Sequence, residues 1–297
     1  MRLPEGVYPI LPTPFTQDGS LDRESIPRLA AYATSHGEAG LAILGVMGEG
    51  QKLTAEERRE AIALFRAALP EGKELVVGLS APANRVAAEL AKEAEALGAT
   101  ALMVGPPPVQ KDEAILAYYQ EVARATSLPL VIHDYPASTG ITLTPSLLAK
   151  MAADIPSVAA VKLEEAPTVE KMEALKKLSS LAVFGALGGL FAFEELKAGA
   201  AGIMTGFSYP GLLVKLFHLA REGLWEEADD LFHLMVPLIR FEFQGALGIS
   251  LRKHLLVWEG VIRYPIVRAP ATLPSAATLE RLRALRDRLQ AQGILSD

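Results

Sequence analysis

The sequence predicts an α/β fold: a (β/α)8 TIM barrel followed by a C-terminal helical extension. Three observations carry this expectation. Short apolar runs alternate with amphipathic, charged stretches, the pattern of βαβ units in a parallel sheet. Eight strand-then-helix units are complete by residue 223, which is the count a closed barrel requires. Residues 224–297 carry no strand signal and read as helices. The rival, a doubly wound open sheet, usually has fewer strands and carries a GxGxxG turn. The nearest glycine cluster, Gly45-Val-Met-Gly48-Glu-Gly50, has its spacings in the wrong order.

The elements follow in order. VYPILPTPF (7–15) is the first apolar run, and LDRESIPRLAAYATSHG (21–37) the first helix, closed by Gly37. LAILGV (41–46) precedes a helix opened by the capping box Thr54-Ala-Glu-Glu57. ELVVGLS (74–80) precedes the helix 84–98, and ALMVGPPP (101–108) the helix 111–126. LPLVIHDYP (128–136) leads to a helix that starts at Thr144-Pro145, a cap followed by proline in the first turn. SVAAVKLEE (157–165), LAVFGALGG (181–189) and GIMTGF (202–207) each precede a helical stretch, the last ending near Gly223. The tail reads as three helices: 225–244, 249–261 and 278–293. Two domains are expected, a catalytic barrel over 1–223 and a three-helix extension over 224–297.

Composition narrows the function. The 297 residues carry a net charge of −6, which argues against nucleic acid or an acidic membrane as partner, since both call for basic patches. There are no cysteines, hence no disulfide, iron–sulfur cluster or thiolate zinc site. The five histidines (His36, His133, His218, His233 and His254) are scattered and form no HExxH motif, and no P-loop is present. No metal and no cofactor are expected. The opening MRLPEGVYPILPTPF lacks the apolar core of a signal peptide, and no apolar stretch approaches the roughly 20 residues of a membrane helix. A cytoplasmic globular protein is the expectation.

Lys162 is the residue that asks for an explanation. It follows the apolar run Val158–Val161, and lysine is costly inside a buried strand unless paired or functional. In such barrels chemistry sits at the C-terminal ends of strands. Lys162, Glu49, His133, Asp134, Tyr135, Thr13 and Thr205 all fall near strand ends. A neutral lysine amine attacks a ketone and forms a Schiff base, which then serves as an electron sink. Free lysine has a pKa of about 10.4, and burial lowers it. The structural alternative is a lysine reaching from the strand end to water, or paired with Glu164 or Glu165. Residues two apart share a strand face, so Glu164 is expected beside Lys162, as ion-pair partner or proton carrier, unless it caps the next helix.

With these residues in place, the chain resembles the dihydrodipicolinate synthase / N-acetylneuraminate lyase family along nearly its whole length. The resemblance rests on PTPF (12–15), GVMGEGQKLTAEER (45–58), HDYPASTG (133–140), VAAVKLEE (158–165), GAAGIMTG (199–206) and the helical tail. It implies a barrel with a helical extension, a homotetramer, and metal-independent chemistry through a Schiff base between a 2-oxo acid and Lys162. The departures from the family are specific. Its loop usually reads G-T-T-G-E, with hydroxyls for the 2-oxo acid carboxylate and the proton relay. Val46 and Met47 stand there instead, leaving backbone N–H groups to bind the anion. The family's proton-shuttling tyrosine aligns with His133, and histidine is a competent acid or base. Ser138 stands where dihydrodipicolinate synthases carry a substrate-binding arginine, and Gly105–Pro108 replaces their tyrosine pair.

The expected function is therefore a Schiff-base-forming lyase acting on a 2-oxo acid, a carbon–carbon or carbon–oxygen lyase of the class I aldolase type. Two reactions share its enamine: aldol cleavage or condensation with pyruvate, and dehydration of a 2-keto-3-deoxy sugar acid. Lys162, His133 and Tyr135 are the expected catalytic residues. Gly45, Val46, Met47, Gly48 and Thr205 are expected to bind substrate, with Glu49 and Glu164 in support. Dihydrodipicolinate synthase itself, joining pyruvate to aspartate semialdehyde, is the alternative, counted against by Val46, Pro107 and Ser138. A catalytically eroded 2-oxo-acid-binding homologue is the third reading, which a Lys162 ion-paired and shielded from any cavity would favour.

Overall fold

The computed structural model describes residues 3–295; residues 1–2 and 296–297, at the ends of the two expected domains, lie outside it. Eight parallel strands form one sheet: β1 (Gly6–Pro9), β2 (Gly40–Ile43), β3 (Glu74–Leu79), β4 (Ala101–Val104), β5 (Leu130–Asp134), β6 (Val158–Leu163), β7 (Ala182–Gly185) and β8 (Gly202–Thr205). Neighbours run in sequence from β2 to β8, and β8 pairs with β1. The ring closes where Leu11 N donates to Ala42 O at 2.9 Å and Ala39 N to Val7 O at 3.0 Å. The expected eight-unit barrel is the observed one. β1 is shorter than the run 7–15, because Pro9, Pro12 and Pro14 have no N–H to donate to a ladder.

Helices α1 (Ser25–Tyr32), α2 (Ala55–Ala68), α3 (Asn84–Ala96) and α4 (Asp112–Ala125) follow the first four strands. Both halves of the Thr54/Glu57 capping box are made. A single turn, α5 (Pro136–Thr139), follows β5 and precedes α6 (Pro145–Asp154), where Thr144 caps the Leu147 N–H. α7 (Thr168–Lys176), α8 (Ala192–Lys197) and α9 (Pro210–Arg221) complete the ring. The tail is helical as expected: α10 (Trp225–Glu242), α11 (Ala246–Trp258) and α12 (Ala276–Ala291), with α10 packed on α8, α9, α11 and α12.

Two apolar cores separate the faces of the sheet. The larger lies between strands and helices. The smaller fills the barrel, with Tyr8, Ala42, Val76, Ala101, Met103, Val131, Ala160, Phe184 and Met204 pointing inward. Alternation then predicts which residues come next up the barrel wall. Val131 inside puts His133 inside, and Ala160 puts Lys162 inside. The phase of β6 depends on a bulge. Leu130 pairs with Val158, but Val131 pairs with Ala160, so Ala159 is an extra residue. Val158 faces the outer core and Ala160 the inner one. The extra residue flips the strand, as bulges do, and brings His133 opposite Lys162 in register.

Candidate active site

Lys162, His133 and Glu164 meet at the C-terminal mouth of the barrel. They are 4%, 5% and 8% exposed, respectively. The Lys162 amine donates to Glu164 Oε2, and Glu164 Oε2 lies 2.7 Å from His133 Nε2. Lys162 Nζ is 3.0 Å from His133 Nε2. A carboxylate only accepts, so the proton on Nε2 points at Glu164. Glu164 N also donates to Asp134 O at 2.8 Å, which continues the β5–β6 pairing one residue and fixes the carboxylate on the lysine's face.

Burial sets the proton affinities. It lowers the Lys162 pKa, and the nearby Arg252 charge lowers it further, while Glu164 works in the opposite direction. It also lowers His133, as does the Lys162 charge, so the imidazole is neutral. For Glu164 burial pushes upward, but the Lys162 charge and the His133 hydrogen bond outweigh it and hold the carboxyl at about 2. The cluster therefore behaves as one unit: Glu164 stays ionised while the lysine nitrogen carries charge. When that charge is lost, burial dominates and Glu164 becomes a proton acceptor.

The three side chains line a cavity of about 370 Å³ with Tyr135, Val46, Met47, Glu49, Thr205, Gly206 and Arg252 among its walls. Lys162 is thus ion-paired but open to a cavity, against the condition that favours an eroded homologue. Tyr135 stacks on His133 with ring centroids 5.8 Å apart, and burial raises its hydroxyl pKa. A second cavity of about 540 Å³ adjoins, sharing Val46, Met103, His133 and Ser138. Gly45 faces that one. Gly48 lines neither: a Cβ there would lie 2.6 Å from Leu44 N, and its carbonyl accepts from Thr13 Oγ1 at 2.6 Å. Asp134 points away from the mouth, toward Lys171 at 2.6 Å, and Lys171 also takes Glu165. Glu165 is therefore not the lysine's partner.

The loop after β2 is held in an unusual shape. Leu44 and Glu49 both have positive φ, at 58° and 52°, a conformation that costs energy for non-glycine residues and concentrates at functional sites. Among the described residues the N–H groups of Val46, Met47 and Gly48 donate to no backbone acceptor, which leaves those of Val46 and Met47, on the cavity wall, free for an anion. Glu49 anchors this loop to the tail. It accepts from Lys253 Nζ at 2.7 Å, Arg268 N at 2.9 Å and Lys52 Nζ at 3.2 Å.

The sequence reading missed Arg252 and Glu242, which the tail brings to the cavity wall. The signal was present: Arg252 and Lys253 interrupt an otherwise apolar stretch, Ile249–Leu256, broken elsewhere only by Ser250 and His254. Two adjacent basic residues there must have buried partners.

An eight-stranded barrel with a desolvated lysine at its mouth defines a class I aldolase-type lyase. Comparison with known proteins gives the family. Residues 3–291 match the dihydrodipicolinate synthetase family, and the chain belongs to it. It is 30% identical over 292 residues to L-2-keto-3-deoxyarabonate dehydratase of Azospirillum brasilense, covering 96% of this chain and 94% of that one. It is 27% identical over 295 residues to 4-hydroxy-tetrahydrodipicolinate synthase of Phocaeicola vulgatus, covering 96% and 97%. Among solved structures it resembles dihydrodipicolinate synthase from Rhodopseudomonas palustris, with a TM-score of 0.92, 32% identity and coverage of 97% and 100%.

Proposed function

We propose that this lyase dehydrates a 2-keto-3-deoxy sugar acid through a Schiff base on Lys162. The observation that carries the reading is the contact of Glu164 with the lysine amine. A carboxylate at the nitrogen is beside C3 of a bound 2-oxo acid. Dehydration removes a C3 proton, whereas aldol cleavage removes the proton of the C4 hydroxyl farther out. The similarity to a keto-deoxy-acid dehydratase agrees. Ser138 and Pro107, in place of an arginine and a tyrosine, speak against dihydrodipicolinate synthesis.

The neutral Lys162 amine adds to C2, and water leaves to give an iminium. Glu164 takes a proton from C3, and the electron pair neutralises the iminium as an enamine. Losing that positive charge raises the proton affinity of Glu164, which then protonates the departing C4 hydroxyl. Water leaves and a conjugated iminium forms. Addition of water at C2 frees Lys162 and the unsaturated 2-oxo acid. His133 holds Glu164 through Nε2–H, Tyr135 braces His133, and the free N–H groups of Val46 and Met47 meet the carboxylate. Thr205 lines the same cavity.

Product analysis with 2-keto-3-deoxypentonates tests this. The expected product retains all five carbons. Pyruvate with a two-carbon aldehyde contradicts dehydration and selects aldol cleavage.

A cytoplasmic location is supported by the acidic, cysteine-free composition, and a homotetramer by Val86 and Val109, each at least 40% exposed. Sedimentation showing only monomer contradicts the assembly. Residues 1–223 carry the nucleophile and its proton carriers, and 224–297 closes one wall of their cavity.

A further inference from the structure

The cavity beside Lys162 holds a second buried cation that the reaction above leaves without a role. Arg252, 3% exposed, reaches from the middle of α11 to the loops that follow β2 and β8. Its Nε donates to Glu242 Oε2 at 3.0 Å, and its Nη1 lies 2.8 Å from Met47 Sδ. A thioether is a weak acceptor. Nη2 has no hydrogen-bond acceptor among the described residues. Glu242 is itself shared, taking Ser208 N at 3.2 Å. A guanidinium fork is thus buried with one of its three nitrogens well paired, and such forks match a carboxylate.

The approach is built into the backbone. A Cβ at residue 206 would lie 3.4 Å from Nη1 and 3.1 Å from Met47 Cγ, so the guanidinium and the thioether pack directly on Gly206. The other basic residue on the wall, Lys52, is consumed by Glu49 and by the carbonyls of Arg268 and Pro270. Val46 and Met47, meanwhile, have no side-chain hydrogen to donate.

We propose that Arg252 is the carboxylate-recognising residue of this site, its fork taking a carboxylate of the 2-oxo acid that the side chains of Val46 and Met47 do not hold. The proposal rests on Schiff-base chemistry at Lys162. The carboxylate is either the one next to the ketone or one at the far end of the chain, and the test separates them.

The readout is the half-saturating concentration for borohydride trapping on Lys162. The probes are pyruvate, 2-oxobutyrate and 2-oxoglutarate, applied to the wild type, Arg252→Met and Arg252→Lys. In Arg252→Met the half-saturating concentration is expected to rise about 10- to 100-fold, the effect of losing a charge-assisted hydrogen bond. A rise for all three probes places the arginine at the 2-oxo end. A rise for 2-oxoglutarate alone places it at the far end. Arg252→Lys recovers part of the loss, as a point charge without the fork. Unchanged values for all three probes in Arg252→Met, or in Arg252→Gln should the first variant not fold, overturn the proposal and leave the lysine chemistry standing. No trapping in the wild type with any probe overturns both.

Discussion

At the scale of single residues, one nitrogen and one carboxyl hold the account together. Lys162→Ala removes the nucleophile, and turnover falls to background. Glu164→Gln keeps the shape but loses the proton carrier, so kcat drops about 10²- to 10⁴-fold, the usual share of general acid–base catalysis. The same substitution has a second, opposite-looking effect. Ionised Glu164 favours the charged lysine; without it the amine deprotonates at lower pH. Adduct formation needs the neutral amine, so its rate rises with pH through the lysine pKa. That rise occurs below the ordinary lysine value of about 10.4 in the wild type, and at still lower pH in Glu164→Gln. Stopped-flow trapping across pH checks the order. The lysine and its glutamate were legible in SVAAVKLEE, because polar residues two apart after an apolar run share a face. Arg252 was not placed by sequence, since its contact Met47 is 205 residues away.

At the scale of elements, the site depends on how strand ends meet the β2 loop. Gly78, at the inward-facing position after Val76, lies where a Cβ would be 2.6 Å from both Leu44 O and Gly45 N. Gly78→Ala pushes that loop outward. It costs about 1–3 kcal/mol by overpacking and raises KM more than it lowers kcat. Steady-state kinetics and urea unfolding read the two effects separately. The alternation of β6 was legible but its bulge was not: Ala159 is apolar like its neighbours, and no residue type marks which of them is unpaired. The α5 turn was missed for a related reason. Pro136–Thr139 is too short to show helical periodicity, so PAST reads as loop.

At the scale of the molecule, the tail is part of the mouth. Lys253 and Glu49 are both fully buried and joined at 2.7 Å, so Lys253→Met leaves the carboxylate to Lys52 and the Arg268 N–H and costs about 1–3 kcal/mol. Activity is lost with the loop's position, and thermal unfolding detects the drop. A second consequence concerns pH. Glu195 is buried between α8 and the sheet with both oxygens unpaired, and burial raises its pKa from 4.5 to about 8. The folded state keeps this proton where the unfolded state has released it. Its stabilising share is full below about pH 4.5 and is lost as pH rises through about 8. Glu195→Gln therefore melts several degrees above the wild type at alkaline pH, and the gap closes in acid. The eight-unit count made the barrel legible from sequence. The tail's helices were legible too, but their service to the site was not, because it lies in contacts between distant segments.

The most direct test is borohydride reduction in the presence of pyruvate, followed by mass spectrometry of the peptide that contains residue 162. A reduced pyruvate adduct is expected on Lys162, and none without borohydride. No adduct with pyruvate or with 2-oxobutyrate, or an adduct carried by a different lysine, would contradict it.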